Sequence, residues 1–395
     1  MFYENPPTAG LPVRWRDWLP TKTSLTTKIS QQLSLPPLQL TCSGTAALII
    51  ILTTLKHRYP NKPWVIIPAY TCPLVALAIH HCGLKIRLCD LAINSFDFDF
   101  EQLPDLLDTE VLAVLPTHLG GQVADIERVK MLAKPYQITV VEDAAQALGA
   151  DVGEYGDIVF FSLAAGKGLT MFEGGLFTSN DLALNNQLRQ TQAQIISKRP
   201  FFEIKRIAEL VGYTALYNPF GLHFVYGQSR RRLINRAKLV EAVGDDFDFS
   251  IPLHHVSQLR QNVAVHAADR LPDFFEQTQK QAMHRIALLK QLPNINVVTS
   301  SVKNRKSVWP FIMIQLPSQK IRDNILNELW VSPFGVSRLF IHDLPHYEYL
   351  KTIIPQESMP NALNFAQTML TITNSLWLTD EQFKIIFDTI EKQVK

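Results

Sequence analysis

Asp143 closes the apolar run 138–142, and Lys167 follows the run 157–163 after a short turn, so both sit at strand ends, 24 residues apart. That interval leaves room for one connection between neighbouring strands, which brings a carboxylate and an amine to the same crevice. A lysine buried there loses solvation for its charge; its pKa falls, and the free amine becomes able to attack a carbonyl. A buried aspartate needs a cationic partner. Pyridoxal 5'-phosphate supplies both halves, since its aldehyde condenses with a lysine and its protonated ring nitrogen pairs with an acid. Its phosphate requires a third feature, and Cys42-Ser43-Gly44-Thr45-Ala46-Ala47-Leu48 offers one. Small residues and hydroxyls open a helix there, where free backbone N–H groups and the helix dipole attract an anion. A Ser-Gly-Thr helix start means little alone, because hydroxyl caps are common. Followed in order by a strand-end Asp, then by Ser162 and Lys167, it specifies a cofactor site.

Groups so placed need strands whose ends gather along one edge. Short apolar runs at 64–68, 86–91, 111–115, 138–142, 157–163 and 175–178 alternate with helical stretches such as 45–57 and 74–81. This alternation predicts βαβ units and an α/β fold, with a mostly parallel sheet covered by helices on both faces. After Asp181 the regular spacing ends. Residues 201–226 are unusually aromatic, are broken by Asn218-Pro219-Phe220-Gly221, and include a stretch, 211–228, without Lys, Arg, Asp or Glu. A proline and glycine turn rules out one continuous helix. The stretch is expected to form a subunit interface or an active-site cover, with ordinary core and membrane-surface contact as alternatives. Helix-like 274–292, strand-like 309–315, helix-like 320–330 and a terminal helix at 380–394 predict a smaller α/β unit. The expected division is a large cofactor-binding domain over 1–260, carrying the aromatic insert near 201–226, and a small C-terminal domain over 261–395.

Lys and Arg total 38 against 36 Asp and Glu in 395 residues, a net charge of +2. The basic excess that releases counterions from a phosphate backbone is missing, so nucleic acid is not an expected partner. Residues 1–10 carry Glu4, Pro6 and Pro7 where a secretion signal would be apolar, and no stretch reaches the roughly 18 apolar residues of a spanning helix. A cytoplasmic protein without a membrane span is expected. Cys42, Cys72, Cys82 and Cys89 are too few for a disulfide framework and are expected as buried thiols. His80, His81 and Cys82 lack the Cys-x-x-Cys partner that a zinc site would need, so no metal is expected.

These motifs resemble the DegT/StrS-type pyridoxal-phosphate-dependent sugar aminotransferases, a family of fold type I. The resemblance runs through Ser-Gly-Thr-Ala-Ala-Leu at 43–48, Pro68-Ala69-Tyr70-Thr71, Asp90, Pro116-Thr117-His118-Leu119-Gly120-Gly121-Gln122, the stretch 142–150, Ser162 through Lys167 to Gly175, and the C-terminal 376–390. It implies an aminotransferase-like large domain with a small α/β C-terminal domain. It further implies Lys167 as the covalent partner of the cofactor and as the base that moves the proton, and Asp143 on the ring nitrogen. Gln146 would face the ring hydroxyl, with Gly44, Thr45 and Ser162 on the phosphate. The implied reaction moves an amino group from glutamate or glutamine to a keto sugar, nucleotide-linked, in a homodimer whose site lies at the subunit boundary.

The sequence also departs from the family pattern. The lysine segment reads Ser162-Leu163-Ala164-Ala165-Gly166-Lys167 where the family writes Ser-Phe-His-x-x-Lys. The family's aromatic residue on the cofactor ring corresponds to Cys72, with Tyr70 the nearest aromatic, so either could cover the ring. An Asn-x-Arg-x-Ser stretch that reaches the neighbouring subunit's phosphate is replaced by Leu253-His254-His255-Val256-Ser257. His118 is a site or a structural histidine. Arg230-Arg231-Arg232 is a nucleotide diphosphate clamp or a solvated turn, and Arg338 is a candidate for a substrate carboxylate. The alternative function is a non-catalytic, cofactor-binding regulatory or assembly protein of the same fold. A Rossmann oxidoreductase is disfavoured because no Gly-x-Gly-x-x-Gly follows an early strand.

Overall fold

In the computed structural model, which describes residues 2–395, seven strands form one sheet: β1 (Gln39–Thr41), β2 (Trp64–Pro68), β3 (Lys85–Cys89), β4 (Val111–Val114), β5 (Thr139–Asp143), β6 (Ile158–Ser162) and β7 (Gly175–Ser179). Their order is β1-β7-β6-β5-β4-β2-β3, parallel from β3 through β6 and antiparallel where β7 meets β6 and β1. Every residue of β4 and β7 is buried. Helices on both faces impose this, and it explains why the runs read as continuous apolar stretches instead of alternating ones. The helix Gly44–Arg58 packs against β6 and β7 and against the helices Pro73–His81 and Leu182–Ile195. Its Ala46-Ala47-Leu48-Ile49-Ile50-Ile51-Leu52 is buried throughout, so burial outweighs the modest helix propensity of three isoleucines.

A second sheet contains β8 (Asn296–Val298), β9 (Phe311–Gln315), β10 (Val336–Ser337) and β11 (Met369–Thr373), in the order β10-β11-β9-β8 and antiparallel throughout. Ile312, Ile314, Leu370 and Ile372 from this sheet share a core with Ala282, Ile325 and Ile386 of the helices Leu271–Leu289, Gln319–Leu329 and Asp380–Val394. Thr379 and Gln382 form a capping box that starts the last of these.

The aromatic segment folds as the helix Pro200–Leu216, a short turn of helix Pro219–Leu222, a π-helical turn His223–Gly227 and the helix Gln228–Asn235. The break falls at the expected proline, where the Asn218 side chain caps the new turn by accepting from the Gly221 N–H at 2.9 Å. Leu210, Tyr213, Tyr217 and Leu222 form a small core with Val13 and Val263. The amino-terminal segment runs across both sheets' connections: Glu4 donates its N–H to Pro219, Asn5 to Pro333, Ala9 to Pro310 and Leu11 to Gly168. Among the described residues, no helix is long and apolar enough to cross a membrane.

Candidate active site

Because β2, β4, β5 and β6 are parallel, their carboxyl ends lie on one edge, and the residues that follow them open into a cavity of about 580 Å³. Gly44, Thr45, Cys72, Asp143, Gln146, Ser162 and Lys167 all line it. Seven of the eight residues singled out in the sequence are thus brought together.

The helix start comes first. Ser43 is extended and caps Gly44–Arg58, with its hydroxyl accepting from Ala46 N–H at 3.0 Å and its carbonyl from Ala47 N–H at 3.0 Å. The N–H groups of Gly44 and Thr45 remain for an anion. Glycine is required beside this turn: a Cβ on Gly175 would run into the Ser43 carbonyl, and one on Gly44 would come within 3.1 Å of the Ser162 Cβ. The close approach of β6, β7 and the helix start therefore sets the size of the anion pocket.

Asp143 ends β5. One carboxylate oxygen accepts from Ala145 N–H at 3.0 Å. Burial pushes its pKa above the usual carboxylate range, while the Ala145 N–H and the Lys167 charge pull it back. Lys167 is pushed down by burial, with Cys72 and Asp143 opposing the shift. An amine whose charged form burial disfavours and a buried carboxyl are what a carbonyl-bearing, cationic ring would complete. Gln146 accepts from Gly120 N–H at 2.7 Å through Oε1, which leaves its Nε2 as a donor for a ring oxygen. Thr71 and Thr117 add hydroxyls 3.2 Å apart, and both line the cavity. The donors for a phosphate, an acid for a ring nitrogen and an amine for an aldehyde are therefore all present. These residues fit pyridoxal 5'-phosphate.

The turn carrying Lys167 is held from beneath. Thr8 Oγ1 donates to the Gly166 carbonyl at 2.9 Å, and Leu11 N–H bonds to Gly168. Tyr217, stacked on Tyr213 with ring centroids 4.3 Å apart, accepts the Gly10 N–H at 3.2 Å through its hydroxyl. One face of the aromatic segment is thus a support for the lysine turn.

Three expectations are corrected, and His118 takes one of the two roles expected of it. Tyr70 does not reach the cavity: its hydroxyl accepts from Phe340 N–H and donates to Phe340 C=O, both at 3.1 Å, and its ring packs on Phe340 and Phe365. It holds Phe340, which does line the cavity, along with Cys72, whose thiol is pushed up to about 12 by burial. His118 is structural. Its Nδ1 accepts from Ala124 N–H at 3.1 Å, so Nε2 donates to Glu142 at 3.0 Å, and Glu142 also accepts from Gly153 and Gly156. Arg230 and Arg231 pair with buried Glu4 at 2.7 and 2.6 Å and form neither a clamp nor a solvated turn. Arg338 lines a different cavity and donates to the carbonyls of Ile341 and Ala366. In place of the family's reaching asparagine, His254 is buried between Glu173 and Glu203, at 3.5 and 3.7 Å.

Several cavity residues have no counterpart in the sequence reading, Arg206 and Asp245 among them. Arg206, from the helix Pro200–Leu216, lines the cavity and pairs with Glu173 and with Glu209. Asp245 lines the opposite side; it accepts from Ile341 N–H at 2.8 Å and from the Tyr347 hydroxyl at 2.6 Å, and burial raises its pKa to about 6. No local spacing marks either, because each enters the site from an element remote from the strand ends.

The two-sheet architecture is similar to that of solved aminotransferase structures. Helicobacter pylori PseC, described as an aminotransferase involved in the biosynthesis of pseudoaminic acid, superposes with a TM-score of 0.74 at 14% identity, covering 98% of this chain and 99% of that one. Residues 38–215 match the profile of the DegT/DnrJ/EryC1/StrS aminotransferase family. GDP-perosamine synthase of Caulobacter vibrioides is 32% identical over 169 residues, which is 41% of this chain and 45% of the relative, so the match spans less than half of either. Spore coat polysaccharide biosynthesis protein SpsC of Bacillus subtilis is 24% identical over 364 residues, covering 89% of this chain and 84% of the relative.

Proposed function

We propose that the chain is a pyridoxal-phosphate-dependent aminotransferase that moves an amino group from glutamate or glutamine to a nucleotide-linked keto sugar, in a cytoplasmic homodimer. The supporting observation is the convergence of Lys167, Asp143 and the Ser43-capped helix start on one cavity. The relatives named as sugar-modifying enzymes support the substrate class. When bound, the cofactor supplies an electron sink for the pair released as the Cα proton of the amino donor leaves. Gly44 and Thr45 N–H groups and the Ser162 hydroxyl would hold the phosphate, Asp143 would keep the ring nitrogen protonated, and Gln146 Nε2 would donate to the ring oxygen. Lys167, whose ammonium form burial disfavours, would serve as the base that accepts the Cα proton of the amino donor. Arg206 offers a charge to an anionic part of the substrate. In the proposed division into a large unit over 1–260 and a small one over 261–395, the large unit supplies nearly all of the cavity's lining and the small one supplies Leu339 and Phe340.

An absorption spectrum of the purified protein tests this. Added pyridoxal 5'-phosphate should produce the visible band of a lysine-bound cofactor, and glutamate or glutamine should bleach it. A cofactor band that neither donor changes would refute the transfer.

A further inference from the structure

Cys72 faces the gap between Lys167 and Asp143: both charges act on its thiol, and all three residues line the cavity. A ring joined to that amine and that acid would span the gap, and a side chain as small as cysteine leaves most of its face uncovered. Tyr70, two residues earlier, is turned away from the cavity. Among the described residues, three phenylalanines line the cavity: Phe160, Phe247 and Phe340. Phe160 pairs with Asp143 across β5 and β6, so it belongs to the sheet under the ring and not to a cover. Phe247 stands half-buried between exposed Asp246 and Asp248, in a stretch without regular secondary structure.

Phe340 is buried and is fixed from several sides. The stretch 338–343 has no regular secondary structure, so side chains hold it in place of a strand ladder. The Tyr70 hydroxyl bonds both the N–H and the C=O of Phe340, at 3.1 Å each, and the Tyr70 ring packs on that of Phe340 with centroids 5.5 Å apart. The next N–H, of Ile341, donates to Asp245 at 2.8 Å and to the Tyr347 hydroxyl at 3.1 Å, and Tyr347 is itself anchored on Asp245 at 2.6 Å. Leu344 N–H donates to the Ala69 carbonyl at 2.8 Å, which lays this stretch beside the segment that carries Cys72. Burial of the backbone calls for such partners. Their effect is to give the Phe340 ring one place on the cavity wall, so little ordering is left to be done when a flat ligand meets it. The face of a phenyl ring is electron-rich, and a pyridine ring kept protonated by Asp143 would be electron-poor, which suits one to the other.

We propose that Phe340 is the aromatic residue that covers the cofactor ring, in the place that Cys72 leaves open, and that Tyr70, Asp245 and Tyr347 are its positioning residues. The assignment rests on the pyridoxal phosphate reading given above.

Binding of pyridoxal 5'-phosphate to the full-length protein, followed by titration of the visible band and by its induced circular dichroism, tests this without turnover. Phe340→Leu keeps an apolar side chain of similar bulk, so the melting curve without cofactor should stay near the parent's, while the dissociation constant rises about tenfold and the dichroism falls. Phe340→Tyr should restore both. Tyr70→Phe removes the two bonds to Phe340 but keeps the ring behind it, and should weaken binding by about three- to fivefold. Phe247→Ala should change neither reading. Parent-like binding and dichroism in Phe340→Leu, or their loss in Phe247→Ala instead, would overturn the assignment and leave the cofactor site standing. A parent protein that gives no band with pyridoxal 5'-phosphate would overturn the site and the assignment together.

Discussion

The cavity's floor and its cover are held differently. On the floor, Gly44, Thr45, Asp143, Gln146 and Ser162 hang from one helix start and two strand ends, and their partners are backbone groups of the same layer: Ala145 for Asp143, Gly120 for Gln146, Ala164 for Ser162. Over it, Arg206 comes from the aromatic helix, Asp245 from the loop after Gly244, and Phe340 from beside β10, each tied by side chains to distant chain: Glu173, Tyr347 and Tyr70 respectively. A floor fixed by backbone hydrogen bonds gives one geometry, as reaction chemistry requires. A cover held by interchangeable side-chain pairs can vary with the substrate while leaving the chemistry in place. Substitutions in the floor should therefore abolish turnover, whereas those in the cover should shift affinity.

The largest effect is expected at Lys167. Lys167→Ala should abolish multiple turnover and prevent borohydride from fixing the cofactor to the protein, while reversible cofactor binding persists through the helix start. Mass spectrometry that finds the reduced cofactor on another lysine would move the chemistry elsewhere. Asp143→Asn comes next. Without the charge beside the ring nitrogen, the half-reaction with glutamate should slow by at least about three orders of magnitude, or about 4 kcal/mol at 1.4 kcal/mol per tenfold. Stopped-flow rates near the parent's would show that another acid serves the ring.

Gly175→Ala probes the floor without touching a reacting group. Its Cβ meets the Ser43 carbonyl, a backbone atom that cannot swing aside. Unfolding should become easier by about 3 kcal/mol, and cofactor affinity should fall with it; an unaltered melting curve would mean the helix start is not confined as described. In the cover, Arg206→Gln should raise the KM of one substrate roughly ten- to a hundred-fold with kcat nearly kept. A collapse of kcat would place Arg206 with the floor.

The smallest effect concerns Asp245 and pH. Burial raises its folded pKa to about 6 from an ordinary 3.8, so the folded protein binds this proton more tightly than the unfolded chain. Its contribution to stability is complete below about pH 4 and is lost as pH rises through about 6. Asp245→Asn should remove that slope, worth on the order of 2 kcal/mol, while the Asn oxygen still accepts from Ile341 and Tyr347. Urea midpoints between those pH values that keep the parent's slope would assign it to another group.

The strands were legible in the sequence because a parallel sheet buried on both faces leaves continuous apolar runs; the run 64–68 coincides with β2, and that at 138–142 is displaced by one residue from β5. β11 was not marked, since it follows the helix Pro360–Thr368 without an intervening turn. The dimer and the domain division have only sequence arguments behind them.

Residue type and order by themselves determined the floor. A helix start with small residues, a strand-end acid and a strand-end lysine each depend on a few neighbours along the chain, and parallel strands bring their ends to one edge whatever lies above them. Tertiary structure alone decided the cover and the fate of the other polar residues. Tyr70 turned away because Phe340, 270 residues on, offers its hydroxyl both a donor and an acceptor; Arg230 was claimed by Glu4, 226 residues earlier. Burial favours a partner for each polar group, and partners that distant are set by packing, which no local pattern encodes.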